Sequence, residues 1–150
     1  MEERIPPHSD DAERSVLGAA MLDEDVLLDI LTMLVPEDFY KEAHREIFDA
    51  IRSVNRSGSA VDIVTVSEEL QKRKTLEMSG GRAYVASLPA EVPTVSNAAD
   101  YAAIVKDKSV LRRLIHVAGD ITEKSFAQKA DAGKVVDYAE QKVFAITQDA

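Results

Sequence analysis

The chain of 150 residues has no cysteine, no tryptophan and only 5% aromatics, and no apolar run in it approaches the length of a membrane span. Without cysteine there is neither a disulfide framework nor a thiolate metal site, which suits a cytosolic, cytoplasmic protein. The start, Met1-Glu2-Glu3-Arg4, lacks the apolar stretch of a secretory signal. Scarce aromatics leave the core to Leu, Ile, Val and Ala, residues that favour helices packed on helices.

Motifs for chemistry are scarce as well. A phosphate cradle needs G-x-x-x-x-G-K-[ST]. The only Gly-Lys pair is Gly133-Lys134, with Gln128 five residues earlier and Val135 after it, so it reads as a turn, like Gly80-Gly81. The three histidines, His8, His44 and His116, are scattered and form no ligand spacing. His44 reads as packing or capping at a helix start and His116 as surface. No G-x-S-x-G is present. No catalytic, cofactor-binding or metal-ligating residue is assigned; an enzyme with an unannounced carboxylate site stays as a rival reading.

What is present is charge and helical periodicity. The net charge is −9, unevenly spread: residues 1–104 hold 20 acids and 10 bases, residues 105–150 hold 7 and 8. An acidic surface repels a phosphate backbone, so a basic protein suits the first part better than nucleic acid does. Asp10 with Glu13 predicts a capping box at the start of a helix from about Asp11 to Met21. A second helix is expected from Asp25 to Leu34, ended by Pro36, and a third from about Lys41 to Asn55, stopped by Gly58. Val61 to Val66 is β-branched enough for a strand, but Asp62 is a natural N-cap and Val66 with Leu70 continues at helical spacing, which favours a helix. A short helix from Arg82 to Leu88 and a loop between Pro89 and Pro93 come next.

From Thr94 or Asn97 a helical pattern runs unbroken by proline to about Phe126. A loop over 128–133 reverses the chain into a last helix, Lys134 to Ile146. The expected fold is therefore all-α: a globular multi-helix head, residues 1–97, followed by an extended antiparallel helical hairpin, residues 98–150. The hairpin carries more apolar surface than its two helices cover between themselves. A second copy, giving a two-fold four-helix contact, is one remedy; packing back on the head is the other. Candidate interface residues are Leu111, Leu114, Ile115, Ala118, Ile121, Val135, Val136, Ala139 and Val143, some of which must instead close the hairpin. Two basic clusters stand out. Lys72-Arg73-Lys74 reads as a solvated helix end; Lys106, Lys108, Arg112, Arg113 and His116 read as a solvated face or an inter-subunit ion pair rather than a nucleic-acid platform, with Asp107 interleaved. A helix-turn-helix reader would need a basic recognition helix that the first helices do not supply.

Several segments taken in order resemble the N-terminal domain of the bacterial replicative hexameric DNA helicase, the DnaB family. They are Asp10 to Gly18; Pro36-Glu37-Asp38-Phe39-Tyr40 followed by His44-Arg45-Glu46-Ile47-Phe48; Gly58 to Asp62 with Thr65; Leu76 to Tyr84; Val92-Pro93-Thr94 with Asn97; Tyr101 to Val105; and Ala139-Glu140 with Val143-Phe144. Asp10-Asp11 and Arg14 depart slightly from the pattern. The resemblance implies a non-catalytic collar: domains pairing through their hairpins, a trimer of dimers over a ring of motor domains, docking of primase, and contacts of the assembled ring with the helicase loader and a clamp-loader subunit. It implies an ATP-dependent helicase as the parent protein, with ATP, Mg and DNA engaged by a motor domain outside these residues, no cofactor here and no membrane. The rival is a free-standing helical adaptor or regulator sharing the head fold.

Overall fold

Seven α-helices and two 3-10 turns make up the computed structural model, which describes residues 4–149, and no strand occurs among them. α1, Asp10–Leu22, starts one residue before the expected Asp11, on the residue expected as its cap. Ser9 is the N-cap, its hydroxyl accepting from Ala12 N at 3.1 Å, so Asp10 and Glu13 do not form a box. α2, Glu24–Met33, begins at Asp23, whose carboxylate accepts from Val26 N at 3.1 Å. Pro36 then opens the 3-10 turn Pro36–Asp38, where a missing N–H costs nothing. α3, Glu42–Arg56, ends before Gly58, which sits at φ 82° where a side chain would be strained.

The β-branched run folds as a helix. α4, Ile63–Lys72, is fixed by a reciprocal pair: Thr65 N donates to Asp62 Oδ1 at 2.9 Å and Asp62 N to Thr65 Oγ1 at 3.0 Å. That local pair outweighs β propensity. α5, Gly81–Ala90, follows Gly80 at φ 97° and runs two residues further than expected. Pro89 lies inside it, so the loop begins after Ala90; in the final turn a proline forfeits a single helix bond. After the 3-10 turn Val95–Asn97 come α6, Ala98–Phe126, 29 residues long, and α7, Ala132–Asp149, longer at both ends than its apolar pattern.

α1 is the axis of the head and packs against α2, α3, α5 and α6. Val16, Leu17 and Ala19 are fully buried, with Phe39, Phe48, Ile47, Ile51, Leu70 and Leu88 around them. The rings of Phe39 and Phe48 stand 4.9 Å apart. α1 and α5 touch backbone to side at Gly18: a Cβ there would overlap the Leu88 carbonyl oxygen and come within 2.5 Å of Val92 Cγ2. The first turns of α6 belong to the same core through Ala98, Ala102 and Val105.

Two polar clusters tie the head together. Glu13, 1% exposed, accepts from Tyr40 N at 2.8 Å and from His44 Nδ1 at 2.7 Å, and His44 Nε2 meets the Tyr84 hydroxyl at 2.5 Å. With Nδ1 donating to Glu13, Nε2 is left to accept the phenol proton. One carboxylate thus joins α1 to α3, and His44 extends the tie to α5. Burial raises the Tyr84 pKa above its ordinary value. The second cluster corrects the reading of Lys72-Arg73-Lys74 as a solvated end. Arg73 donates to Glu69 at 2.7 Å, Asp49 at 2.8 Å, Glu46 at 3.2 Å and Ser53 at 2.6 Å, stapling α4 to α3. Burial works against its charge, but the bonds to Glu69, Asp49 and Glu46 outweigh it and raise its pKa.

Candidate protein–protein interface

The long helix α6 leaves the head through a polar joint. Ser109 Oγ donates to Asp38 Oδ1 at 2.8 Å, and Lys106 Nζ stands 3.4 Å from Asp38 Oδ2. Arg112 donates to two carbonyls, Pro7 O at 2.8 Å and Asp38 O at 2.7 Å, and lies over the Tyr40 ring. Burial depresses the Arg112 pKa, against the pull of Glu13 and Asp38. The α6 cations are therefore not a free face. Lys106 and Arg112 bind the head, and Lys106 and Arg113 also hold Asp149 at the end of α7, at 3.4 and 2.7 Å. Lys108 is half-buried, and His116 stays on the surface within 3.5 Å of Asp120.

Within the hairpin, Val117 and Ile146 are the buried apolar side chains of the free stretch. Beside them Tyr138 donates to Asp120 at 3.0 Å, which raises the phenol's pKa, and Lys124 Nζ sits 4.6 Å over the Tyr138 ring. At about 100° per residue, the rotation from this seam sorts every other position. On α6 the side that includes Ala98, Ala102, Val105 and Ser109 faces the head, and all four are buried. The opposite side carries Ile104, Leu111, Leu114, Ile115 and Ala118, all exposed, with Ile115 at 57%. On α7 the exposed Val136 and Val143, seven residues apart, share one side. The helices run antiparallel, so equal rotations from the seam open toward the same side. The two stripes form one apolar sheet of side chains directed away from the head.

Of the residues singled out from sequence, Leu111, Leu114, Ile115, Ala118, Val136 and Val143 lie exposed, while Ile121, Val135 and Ala139 are half-buried along the hairpin. The sequence reading missed Ile104 and Phe126, the latter 86% exposed at the hairpin tip. Both continue the stripe at helical spacing, Ile104 seven residues before Leu111 and Phe126 eleven after Ile115, a signal present in the sequence. An isolated hairpin gains nothing from leaving such a row in water, since each large aliphatic side chain buried is worth roughly 1.5–3 kcal/mol.

Comparison with known proteins gives a consistent picture. The family model described as the DnaB-like helicase N-terminal domain matches residues 5–107. The replicative DNA helicase DnaB of Geobacillus stearothermophilus is 43% identical over 146 residues, covering 97% of this chain and 32% of that protein. The crystal structure of the N-terminal domain of DnaB helicase from Mycobacterium tuberculosis superposes with a TM-score of 0.88 at 39% identity, covering 93% of this chain and 99% of that one. A structure of a DnaB-like replicative helicase, described with its interactions with primase, shares the fold at a TM-score of 0.76 and 22% identity, over 92% of this chain and 31% of that one. The chain spans about a third of the length of the full helicase from Geobacillus.

Proposed function

The chain belongs to the family of DnaB-like helicase N-terminal domains, and from that premise we propose that it is the non-catalytic collar of a replicative helicase, pairing with a second copy through the hairpin. The observation carrying this reading is the apolar side of the hairpin turned away from the head, from Leu111 to Ala118 on α6 and at Val136 and Val143 on α7. We divide the chain into a head, residues 1–97, and a hairpin, residues 98–150, with the first turns of α6 lending their buried side to the head core. In this reading Leu111, Leu114, Ile115, Ala118, Val136 and Val143 meet the partner copy, and Ile121, Val135 and Ala139 lie at its edge and within the hairpin.

Three such pairs would make the trimer of dimers of a hexameric ring. The full-length protein would unwind DNA with ATP, and DNA would be engaged only by the motor domain. Among the described residues neither glycine turn offers a cradle for a nucleotide phosphate. Gly80 and Gly81 close a turn whose Gly81 N–H is bonded to Leu76 O at 2.9 Å, and Gly133 lies in the first turn of α7. In this reading ATP and Mg would be held by the motor domain of the full-length protein. The acidic head suits docking of primase, and contacts with the helicase loader and a clamp-loader subunit would form through the assembled ring. Among the described residues no helix is long and apolar enough to cross a membrane.

Sedimentation equilibrium over a wide concentration range tests the pairing. Wild type is expected to show a reversible monomer–dimer equilibrium. Ile115→Asp places a charge in the middle of the stripe and is expected to give monomers with unchanged helical circular dichroism. A wild-type chain that stays monomeric at millimolar concentration overturns the reading.

A further inference from the structure

Where α6 and α7 leave the head they enclose a cleft of about 380 Å³ against the turn Pro36–Asp38. Its charged groups are Arg112, Arg113 and His116 from α6, Lys142 from α7 and Glu37 from the turn, over the buried seam of Val117 and Ile146. In a chain of net charge −9, three permanent cations and a histidine here face one carboxylate of the lining.

Two of those cations have no carboxylate in contact among the described residues. Arg112 spends its hydrogens on the neutral carbonyls of Pro7 and Asp38, so its charge is not cancelled in place. Lys142 makes no ion pair and lies 5.5 Å from the Tyr138 ring. The third, Arg113, already holds an anionic oxygen, donating to Asp149 Oδ2 at 2.7 Å. Asp149 is about half exposed and has a second cation in Lys106 at 3.4 Å, so it can give up Arg113 and stay paired. The chain thus seats one of its own carboxylates at the edge of the cleft.

We propose that this cleft binds a di- or triphosphate anion through Arg113 and Lys142, with Arg112 behind them, and that Asp149 is its built-in competitor. A lone carboxylate brings one charge, which Asp149 already supplies. Taking Arg113 from it requires several charges on linked oxygens, and a phosphate chain carries these on adjacent phosphorus centres that engage cations of two helices at once. The arginine fork suits phosphate oxygens, and lysine serves as a point charge beside it. The volume lies at the small end for small-molecule sites, which fits a phosphate chain better than a bulky ligand.

Binding exchanges one clamp at the base of the hairpin for another. The phosphate chain joins α6 to α7, while Asp149 keeps only Lys106 and the last turn of α7 loosens. The cleft is separate from the apolar stripe. Ser109 on its wall and Ala118 on the stripe are nine residues apart, which at about 100° per residue points them in opposite directions. Pairing of two copies therefore leaves the cleft open, and the site stands or falls independently of the pairing.

Isothermal titration calorimetry of the chain with pyrophosphate, ADP and AMP, at one fixed ionic strength, tests the site. Pyrophosphate and ADP are expected to bind one to one, and AMP far more weakly. Arg113→Ala and Lys142→Ala should each weaken binding about ten-fold with unchanged circular dichroism, the loss of one charge-assisted bond. Asp149→Asn should strengthen it, because the competing carboxylate is gone. Tighter binding of ADP than of pyrophosphate would assign the site to a nucleotide, and equal binding to a free phosphate chain. Amide exchange over residues 147–149 should quicken when pyrophosphate is added. The proposal is overturned by no binding at millimolar pyrophosphate, by binding that survives both alanine variants, or by weaker binding to Asp149→Asn. It is equally overturned by an acidic peptide that occupies the cleft while pyrophosphate does not.

Discussion

Glu13 on α1 and His44 on α3 lie 31 residues apart in sequence and 2.7 Å apart in the fold, with the Glu13 side chain 1% exposed and His44 entirely buried. The carboxylate collects the Tyr40 N–H and the imidazole N–H where no water reaches them, and the imidazole passes the tie on to Tyr84. Three helices thus depend on one acceptor group.

Glu13→Gln keeps the size but replaces one accepting oxygen with a donating amide, which faces either the Tyr40 N–H or the His44 Nδ1–H. A buried donor left without an acceptor costs about 1–3 kcal/mol. Urea denaturation is expected to show a loss in that range. Tyr84→Phe, which removes only the outer link, should cost less, near 1 kcal/mol by the same measure.

Gly18→Ala should destabilise the head by about 1–3 kcal/mol, because the new methyl collides with backbone at Leu88 rather than with a movable side-chain end. The comparison is Gly119→Ala, whose methyl enters open space and replaces a helical glycine, and which should raise the stability of the monomer by about 0.5–1 kcal/mol. Thermal unfolding at low concentration separates the two. Equal effects would contradict the packing at α1 and α5.

Arg73→Ala should cost about 1–3 kcal/mol, since it leaves Glu46, Asp49 and Glu69 facing one another with no cation between them. The side chain is partly open to solvent, so the loss should shrink in high salt. Arg73→Lys should recover only part of it, because an ammonium does not span the same fork of acceptors. Chemical denaturation at low and high salt checks both.

Acid should loosen the end of the hairpin before it unfolds the head. Lys106 and Arg113 hold the Asp149 pKa below its ordinary value. A depressed carboxylate pKa contributes stability that is fully present above the unfolded-state value, about 4, and is lost as pH falls through the lower folded value. Amide exchange in the last turn of α7 is therefore expected to quicken below about pH 4, relative to the head. Asp149→Asn should show that faster exchange already at neutral pH, and added salt should narrow the difference.

Much of the head could be read from local chemistry. Pro36, Gly58 and the Asp62–Thr65 pair mark helix ends through bonds between near neighbours, and their positions held to within a residue or two. Ser9 displaced Asp10 as a cap because either side chain can reach the first free N–H, and only the path of the chain decides between them. Glu13 and Arg73 looked like ordinary helix-end charges because, Glu69 aside, their partners are 20 to 31 residues away. Lys106 and Arg112 read as a solvated face for the same reason, since their acceptors lie 43 to 105 residues away. On α6 the periodicity supplies two apolar sides, and it took the buried Val117 to identify which one closes on α7.

α6 runs for 29 residues without a proline, anchored at one end by Ala102, Val105 and Ser109 and free at the other. It is a lever with its fulcrum at Asp38. From Val105 to Phe126 the arm is about 30 Å, so a rocking of about 5° at the head sweeps the tip through nearly 3 Å. A straight helix has no hinge in which to absorb that motion. A second copy paired along the hairpin, as proposed, would either slide against the far end or carry the displacement onward.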